Sequence, residues 1–259
     1  MKTVIFAGGL GTRISEESYL KPKPMIEIGE KPILWHIMKI FETQGFNDFI
    51  ICLGYKSYIV KEYFLNYYVY SSDVTINLQT NSFEVHRSNT EKFRVTLVDT
   101  GVNTGTAGRL KRAQHYIGNE EFLLTYGDGV ANIDLNKLLD YHHKHGKIGT
   151  VTAVQPEGRF GLLDIESDNH VKRFNEKIIG DGGWINGGFF VLRPEIFDYL
   201  PENSDQLMWE DYPLEKLTKD KQLSAFKHDG FWKCMDAMRD KSVLEQLWTS
   251  GQAKWKIWD

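Results

Sequence analysis

The sequence predicts an α/β fold: a mostly parallel or mixed sheet flanked by helices, with a more strand-rich second half. Three observations carry this expectation. Short apolar, β-branched runs alternate with helical-period segments through the first half, glycine clusters directly follow strand-like runs, and two further runs end in aspartates. Such alternation places helices on both faces of a sheet, and such sheets bind ligands at the carboxyl ends of their strands.

Val4-Ile5-Phe6-Ala7 reads as a buried strand stopped by Gly8-Gly9. Pro32 suits the first turn of a helix whose apolar face is Ile33, Leu34, Ile37, Met38 and Phe41, with Gly45 as its stop. Phe49-Ile50-Ile51-Cys52-Leu53 is the next strand, and residues 74–78, 95–98 and 122–125 continue the series. Later strands are expected at 150–154, 161–165, 171–174, 185–192 and 223–226, with helices over 210–218 and 239–248. Both halves are expected to share one continuous sheet.

Composition narrows the function. With 31 Lys+Arg against 35 Asp+Glu and a net charge of −4, the chain lacks the basic excess of a general nucleic-acid binder. No stretch reaches the roughly 18 apolar residues of a membrane span, and the N-terminal apolar run is too short for a signal peptide. Cys52 and Cys234 stand apart in apolar runs, as reduced core thiols would. A cytoplasmic protein is the expectation.

Gly8-Gly9-Leu10-Gly11-Thr12-Arg13 lets backbone N–H groups approach phosphate oxygens, with Arg13 as a cationic fork and Thr12 as a hydroxyl donor. Lys21-Pro22-Lys23-Pro24 then offers two cations on a stiffened backbone. The spacing matches neither the kinase-type P-loop nor the dinucleotide fingerprint. Asp128 lies between Gly127 and Gly129 after an apolar strand, and Asp236 ends Phe231-Trp232-Lys233-Cys234-Met235. Two carboxylates with phosphate oxygens suit Mg²⁺. Asp236 could equally cap the helix that starts soon after it.

The stretch from Gly8 to Arg13, with Lys21-Pro22-Lys23-Pro24-Met25, resembles the signature loop of the sugar-phosphate nucleotidyltransferases. The resemblance implies a Rossmann-like fold of the nucleotide-diphospho-sugar transferase type. It implies one domain over residues 1–259, in which 1–146 mainly hold nucleotide and 147–259 form a sugar-binding lobe and C-terminal tail. It makes Arg13, Lys23, Asp128, Lys177 and Asp236 the catalytic set, with Asp128 and Asp236 holding Mg²⁺. Ala7, Gly8, Gly9, Gly11, Thr12, Thr106, Gly108, Arg109, Tyr126 and Gly127 join Arg13 and Lys23 around the nucleotide. Glu176, Lys177, Asn186 and Gly187 face the sugar, although Ile178 stands where the family commonly has proline.

Arg109, in the second glycine-rich turn, and the tail Trp255-Lys256-Ile257-Trp258 resemble the branch of the family that makes CDP-glucose from CTP and glucose 1-phosphate. Gly158-Arg159-Phe160-Gly161 adds to that resemblance. The branch implies a homo-oligomer, a hexamer, serving surface-polysaccharide synthesis; charge balance and the lack of a long apolar run lead to the expectation of neither nucleic acid nor membrane as partner. Other expectations are a thymidylyl-, uridylyl- or guanylyltransferase, or a catalytically silent nucleotide-binding subunit. The attacking sugar phosphate has a second pKa near roughly 6, so it ionises without a general base. The eight histidines accordingly show no spacing suited to a catalytic pair.

Overall fold

The computed structural model describes residues 1–88, 90–156, 162–165, 171–175 and 183–258. In chain order, β1 (Lys2–Ala7) leads through a glycine loop to α1 (Ser15–Ser18), the short pair β2 (Glu27–Ile28) and β3 (Lys31–Pro32), and α2 (Ile33–Glu42). There follow β4 (Asp48–Leu53), α3 (Ser57–Tyr70), β5 (Ser72–Asn77), β6 (Ser82–Ser88) and β7 (Arg94–Asp99). Next come α4 (Thr106–Ile117), β8 (Phe122–Tyr126), β9 (Gly129–Ala131), α5 (Leu135–His145) and β10 (Gly149–Val154). The chain continues with β11 (Leu162–Ile165), β12 (Val171–Asn175), β13 (Ile185–Asn186) and β14 (Phe190–Leu192). It closes with α6 (Pro213–Lys219), β15 (Leu223–His228), β16 (Trp232–Cys234) and α7 (Met238–Thr249).

One 8-stranded sheet runs β13-β10-β14-β8-β1-β4-β7, with β15 paired to β10. The β8-β1-β4-β7 part is parallel, whereas β14 is antiparallel to both β8 and β10. Both halves of the chain thus enter one mixed sheet. Successive residues of β1 point to opposite faces. Ile5 and Ala7 pack with α2, Val60 of α3 and α5, while Val4 and Phe6 pack with α4, Leu217 of α6 and Trp209. Burial on both faces is why these strands read as continuous apolar runs.

Three expectations are corrected in detail. The run at 74–78 lies not in the main sheet but in a separate hairpin, β5 with β6, where Leu78 is 89% exposed. Its β-branched content marks a strand but cannot choose the partner. The run 185–192 splits into β13 and β14 because Gly188 and Phe189 take positive φ of 74° and 48°. Phe189 is held there by stacking on Phe41 at 5.7 Å and by accepting a hydrogen bond at its carbonyl from Thr152 Oγ1 at 2.7 Å. Pro32 is the N-cap of α2, one position before its first turn, with ψ of 145°. Among the described residues no helix is long and apolar enough to cross a membrane. Cys52 is a buried free thiol, its pKa pushed up by burial to about 12.

The tail after α7 returns to α2. His36 is fully buried, with Trp248, Trp255 and Trp258 around it at ring separations of 4.7, 6.2 and 6.2 Å. His36 Nε2 donates to Ile28 O at 2.7 Å, and Nδ1 accepts from Trp255 Nε1 at 3.4 Å, which fixes the neutral tautomer. Burial pushes its pKa down to about 4 from an ordinary 6.5.

Between pH 6.5 and 4 the unfolded chain therefore takes up a proton that the folded chain refuses. The contribution of His36 to stability is whole above this window and falls as pH drops through it, by a total on the order of 3 kcal/mol. Denaturant unfolding at pH 7 and pH 4.5 should show a larger loss for the wild type than for His36→Gln. Parallel losses in the two proteins would refute this.

Candidate active site

The loop after β1 is shaped by a residue far along the chain. Arg109, on the first turns of α4, is only 3% exposed. Its guanidinium donates to Gly8 O at 2.9 Å, Leu53 O at 3.0 Å, Thr100 Oγ1 at 2.7 Å, Gly101 O at 2.8 Å and Val102 O at 3.3 Å. Burial pulls its pKa below the ordinary value. One side chain thereby ties together the loops after β1, β4 and β7. A Cβ on Gly8 would sit 2.1 Å from this guanidinium and would displace it, and one on Gly54 would sit 2.5 Å from it and 2.6 Å from Gly8 O, so Gly54 is held to glycine by backbone as well.

Lys23 lies on a single 3₁₀ turn, Lys23–Met25, whose Pro24 and Met25 are buried. Pro24 packs beneath Gly127, where a Cβ would meet Phe6 O at 2.8 Å. The lysine is aimed inward, with Nζ 2.5 Å from Asp128 Oδ2 and 2.6 Å from Asp236 Oδ1. Arg13 Nη1 reaches Asp236 Oδ2 at 3.1 Å. Burial lowers the Lys23 pKa, but the two carboxylates outweigh it and the net shift is upward. Burial likewise raises that of Asp236, but Lys23 and Arg13 prevail and hold it below the usual carboxylate range. Lys21 is turned away and pairs with Glu27 at 2.7 Å.

The two aspartates meet through strand pairing. β16 lies antiparallel to β9, with Cys234 opposite Gly129 and Trp232 opposite Ala131. Met235 N then donates to Asp128 O at 2.8 Å, which carries Asp236 round to face Asp128. Capping of α7 falls to Asp240, whose Oδ2 accepts from Asp236 N at 3.1 Å and Ala237 N at 3.0 Å. The Asp236 carboxylate is therefore not consumed as a cap.

Ala7, Gly8, Gly9, Gly11, Thr12, Arg13, Lys23, Thr106, Arg109, Tyr126, Gly127, Asp128, Asn186 and Asp236 line one cavity of about 810 Å³. Gly108 and Gly187 stand outside that lining. A Cβ on Gly108 would meet the Ser204 and Asp205 backbone at 2.8 Å, and Gly187 offers its carbonyl to Trp232 Nε1 at 2.8 Å. Glu176, Lys177 and the 158–161 stretch lie outside the described residues.

The cavity also holds residues that sequence reasoning missed, chiefly Glu210, Trp232 and Met208. Glu210 Oε1 accepts from Tyr126 OH at 2.6 Å and its Oε2 from Thr106 Oγ1 at 3.3 Å, while Asn186 Nδ2 donates to Tyr126 OH at 3.0 Å. No local signal marked it, since it stands beside a second acid, Asp211, just before the Pro213 helix start, where acids are ordinary.

The carboxylates fit a divalent cation. Asp128 and Asp236 converge on one point, which the Lys23 ammonium occupies as a stand-in ion. Among the described residues no cluster of three or more His, Cys, Asp or Glu side chains could hold a metal. Two carboxylates completed by substrate phosphates is the donor set a hard cation such as Mg²⁺ takes.

A glycine loop on a sheet's carboxyl edge, facing paired aspartates across one cavity, is the kind of site that phosphate-transfer chemistry uses. A nucleotidyl transferase family model matches residues 2–240, and the chain belongs to that family. It is 54% identical over 100% of both chains to the glucose-1-phosphate cytidylyltransferase of Salmonella typhi. It is equally 54% identical, again over both full lengths, to that of Salmonella typhimurium strain LT2. Among solved structures it resembles HddC from Yersinia pseudotuberculosis, with a TM-score of 0.68 and 27% identity over 95% of this chain and 99% of that one.

Proposed function

We propose that the chain transfers the cytidylyl group of CTP to α-D-glucose 1-phosphate, forming CDP-glucose and releasing pyrophosphate. The observation that carries the substrate pair is the 54% identity over the full length of glucose-1-phosphate cytidylyltransferases. The juxtaposition of Asp128, Asp236, Lys23 and Arg13 supports the chemistry.

In this reading Asp128 and Asp236 hold Mg²⁺, which when bound offsets charge on the α-phosphate and the departing pyrophosphate. Lys23 leaves the carboxylates for the triphosphate and, with Arg13, holds the leaving group. The loop amides of Gly8, Gly9 and Gly11 cradle phosphate oxygens. Arg109 holds the turn after β7 against the loop after β1, which shapes the slot for the base. Lys177 seats the attacking sugar phosphate beside Glu176, and Asn186 lies along the sugar, with Gly187 behind it bracing Trp232. The nucleophile is already ionised at neutral pH, so the residues act by in-line positioning and charge neutralisation rather than by removing a proton. Residues 1–146 chiefly serve the nucleotide and 147–259 the sugar. A cytoplasmic homo-oligomer, a hexamer supplying surface-polysaccharide synthesis, completes the proposal.

The test is pyrophosphate release from glucose 1-phosphate with Mg²⁺ and each of CTP, dTTP, UTP, GTP and ATP. A strong preference for CTP, abolished by EDTA, is expected. Preference for another triphosphate would overturn the base assignment and keep the chemistry, and no release with any sugar phosphate would overturn both.

A further inference from the structure

We infer that Glu210 is a specificity-determining residue that accepts a hydrogen bond from one hydroxyl of the sugar substrate. This deepens the transfer reaction proposed above and rests on it.

Every hydrogen bond in the Glu210 network runs toward the carboxylate. Asn186 Nδ2 donates to Tyr126 OH, and Tyr126 OH donates to Glu210 Oε1. From the other side, Trp209 N donates to Thr106 Oγ1 at 2.7 Å, and Thr106 Oγ1 donates to Glu210 Oε2. Burial, then the Glu210 charge, raises the Tyr126 phenol well above its ordinary pKa, so it remains a donor. The Tyr126 ring is itself braced by Phe6 and Phe190, each 6.1 Å away. The carboxylate is therefore held at both oxygens by rigid partners.

A carboxylate has about four lone-pair sites, and this network uses two of them. Among the described residues Glu210 makes no ion pair, although it lines the same cavity as Arg13 and Lys23. Its remaining acceptor capacity repels phosphate oxygens and suits a neutral donor. The sheet order and the link to Asn186 together point to the donor. Arg109 and the turns after β4 and β7 lie to one side of the β1 loop, whereas Tyr126 of β8 and Asn186 of β13 lie to the other. Glu210 meets both sides, through Thr106 of α4 on one and through Tyr126 and Asn186 on the other. Because Asn186 is the member of this network assigned to the sugar, the free acceptor sites of Glu210 are assigned to a hydroxyl of the transferred sugar rather than of the ribose.

The experiment is a cycle between residue and substrate, using the full chain. Wild type and Glu210→Gln are each assayed with glucose 1-phosphate and with its 2-, 3-, 4- and 6-deoxy analogues. In the wild type one deoxy analogue should lose about 10- to 100-fold in kcat/KM, the scale of a hydrogen bond to a charged group. Glu210→Gln should lose a comparable factor with glucose 1-phosphate itself. Removal of the same hydroxyl should then cost the variant no more than about threefold, with KM for CTP unchanged. Tyr126→Phe, which removes one donor to the same carboxylate, repeats the cycle if Glu210→Gln fails to fold. Identical deoxy penalties in wild type and variant, or a loss confined to KM for CTP, would overturn the assignment. A wild type inactive on glucose 1-phosphate would instead overturn the reaction itself, and this assignment with it.

Discussion

Asp128→Asn and Asp236→Asn should each lower turnover by about a hundred- to a thousandfold, the scale set by loss of one preorganised charge-stabilising group. The amide keeps the side-chain shape but contributes no charge to a hard cation, and its NH₂ would face the Lys23 ammonium, 2.5 Å from Asp128 and 2.6 Å from Asp236. Global stability should change little, since Lys23 keeps one carboxylate in either variant. Asp236→Asn frees Arg13 as well, which pairs with Asp236 at 3.1 Å, and should be the more damaging of the two. Pyrophosphate release titrated with Mg²⁺, alongside circular dichroism, separates lost chemistry from lost structure. Near wild-type rates at saturating Mg²⁺ would remove the metal role from either residue.

The second large effect is on stability. Arg109→Met fills part of the same space but withdraws five hydrogen bonds together. Gly8 O keeps Tyr55 N, and Leu53 O keeps Thr100 N and Oγ1, whereas Gly101 O and Val102 O lose the donor that the guanidinium supplied. A buried acceptor stripped of its partner costs about 1–3 kcal/mol. With some of these groups regaining water, the net loss should be about 3–5 kcal/mol. For a chain of this size that lowers Tm by roughly 10 °C. Arg109→Lys should recover little, because an ammonium is a point donor and cannot span oxygens on three separate loops. Thermal unfolding of both variants decides the matter, and a lysine variant as stable as the wild type would refute the clamp.

Arg109 also shows where sequence reasoning ran short. Family resemblance set it around the nucleotide, yet nothing local revealed that carbonyl oxygens from three loops would surround it. The β1 loop, β4, β8 and Asp128 were legible because strand, glycine stop and acid are adjacent in sequence. The pairing of Asp236 with Asp128 was legible only through family resemblance, since it depends on β16 lying against β9. α3 escaped notice because only Val60 of its length is fully buried, which leaves no apolar stripe to read. α5 was missed although its buried Leu135, Leu138, Leu139 and His142 do recur at helical spacing. Glu210 escaped for a different reason: its partners Tyr126 and Thr106 are 84 and 104 positions away.

The return of the tail to α2 sets an order of events during synthesis. His36 and Trp255 are 219 positions apart, and the strand that brings in Asp236 begins only at Trp232. A nascent chain grown to residue 230 already contains β1, β4, β7 and β8, yet the aromatic wall over His36 has not been made. Its α2 face then stays wet and adhesive, the condition in which partly folded chains aggregate or recruit chaperones. Contacts of such long range form late because the intervening loop must first be closed. Core closure and assembly of the carboxylate pair thus belong to the same final stage of folding.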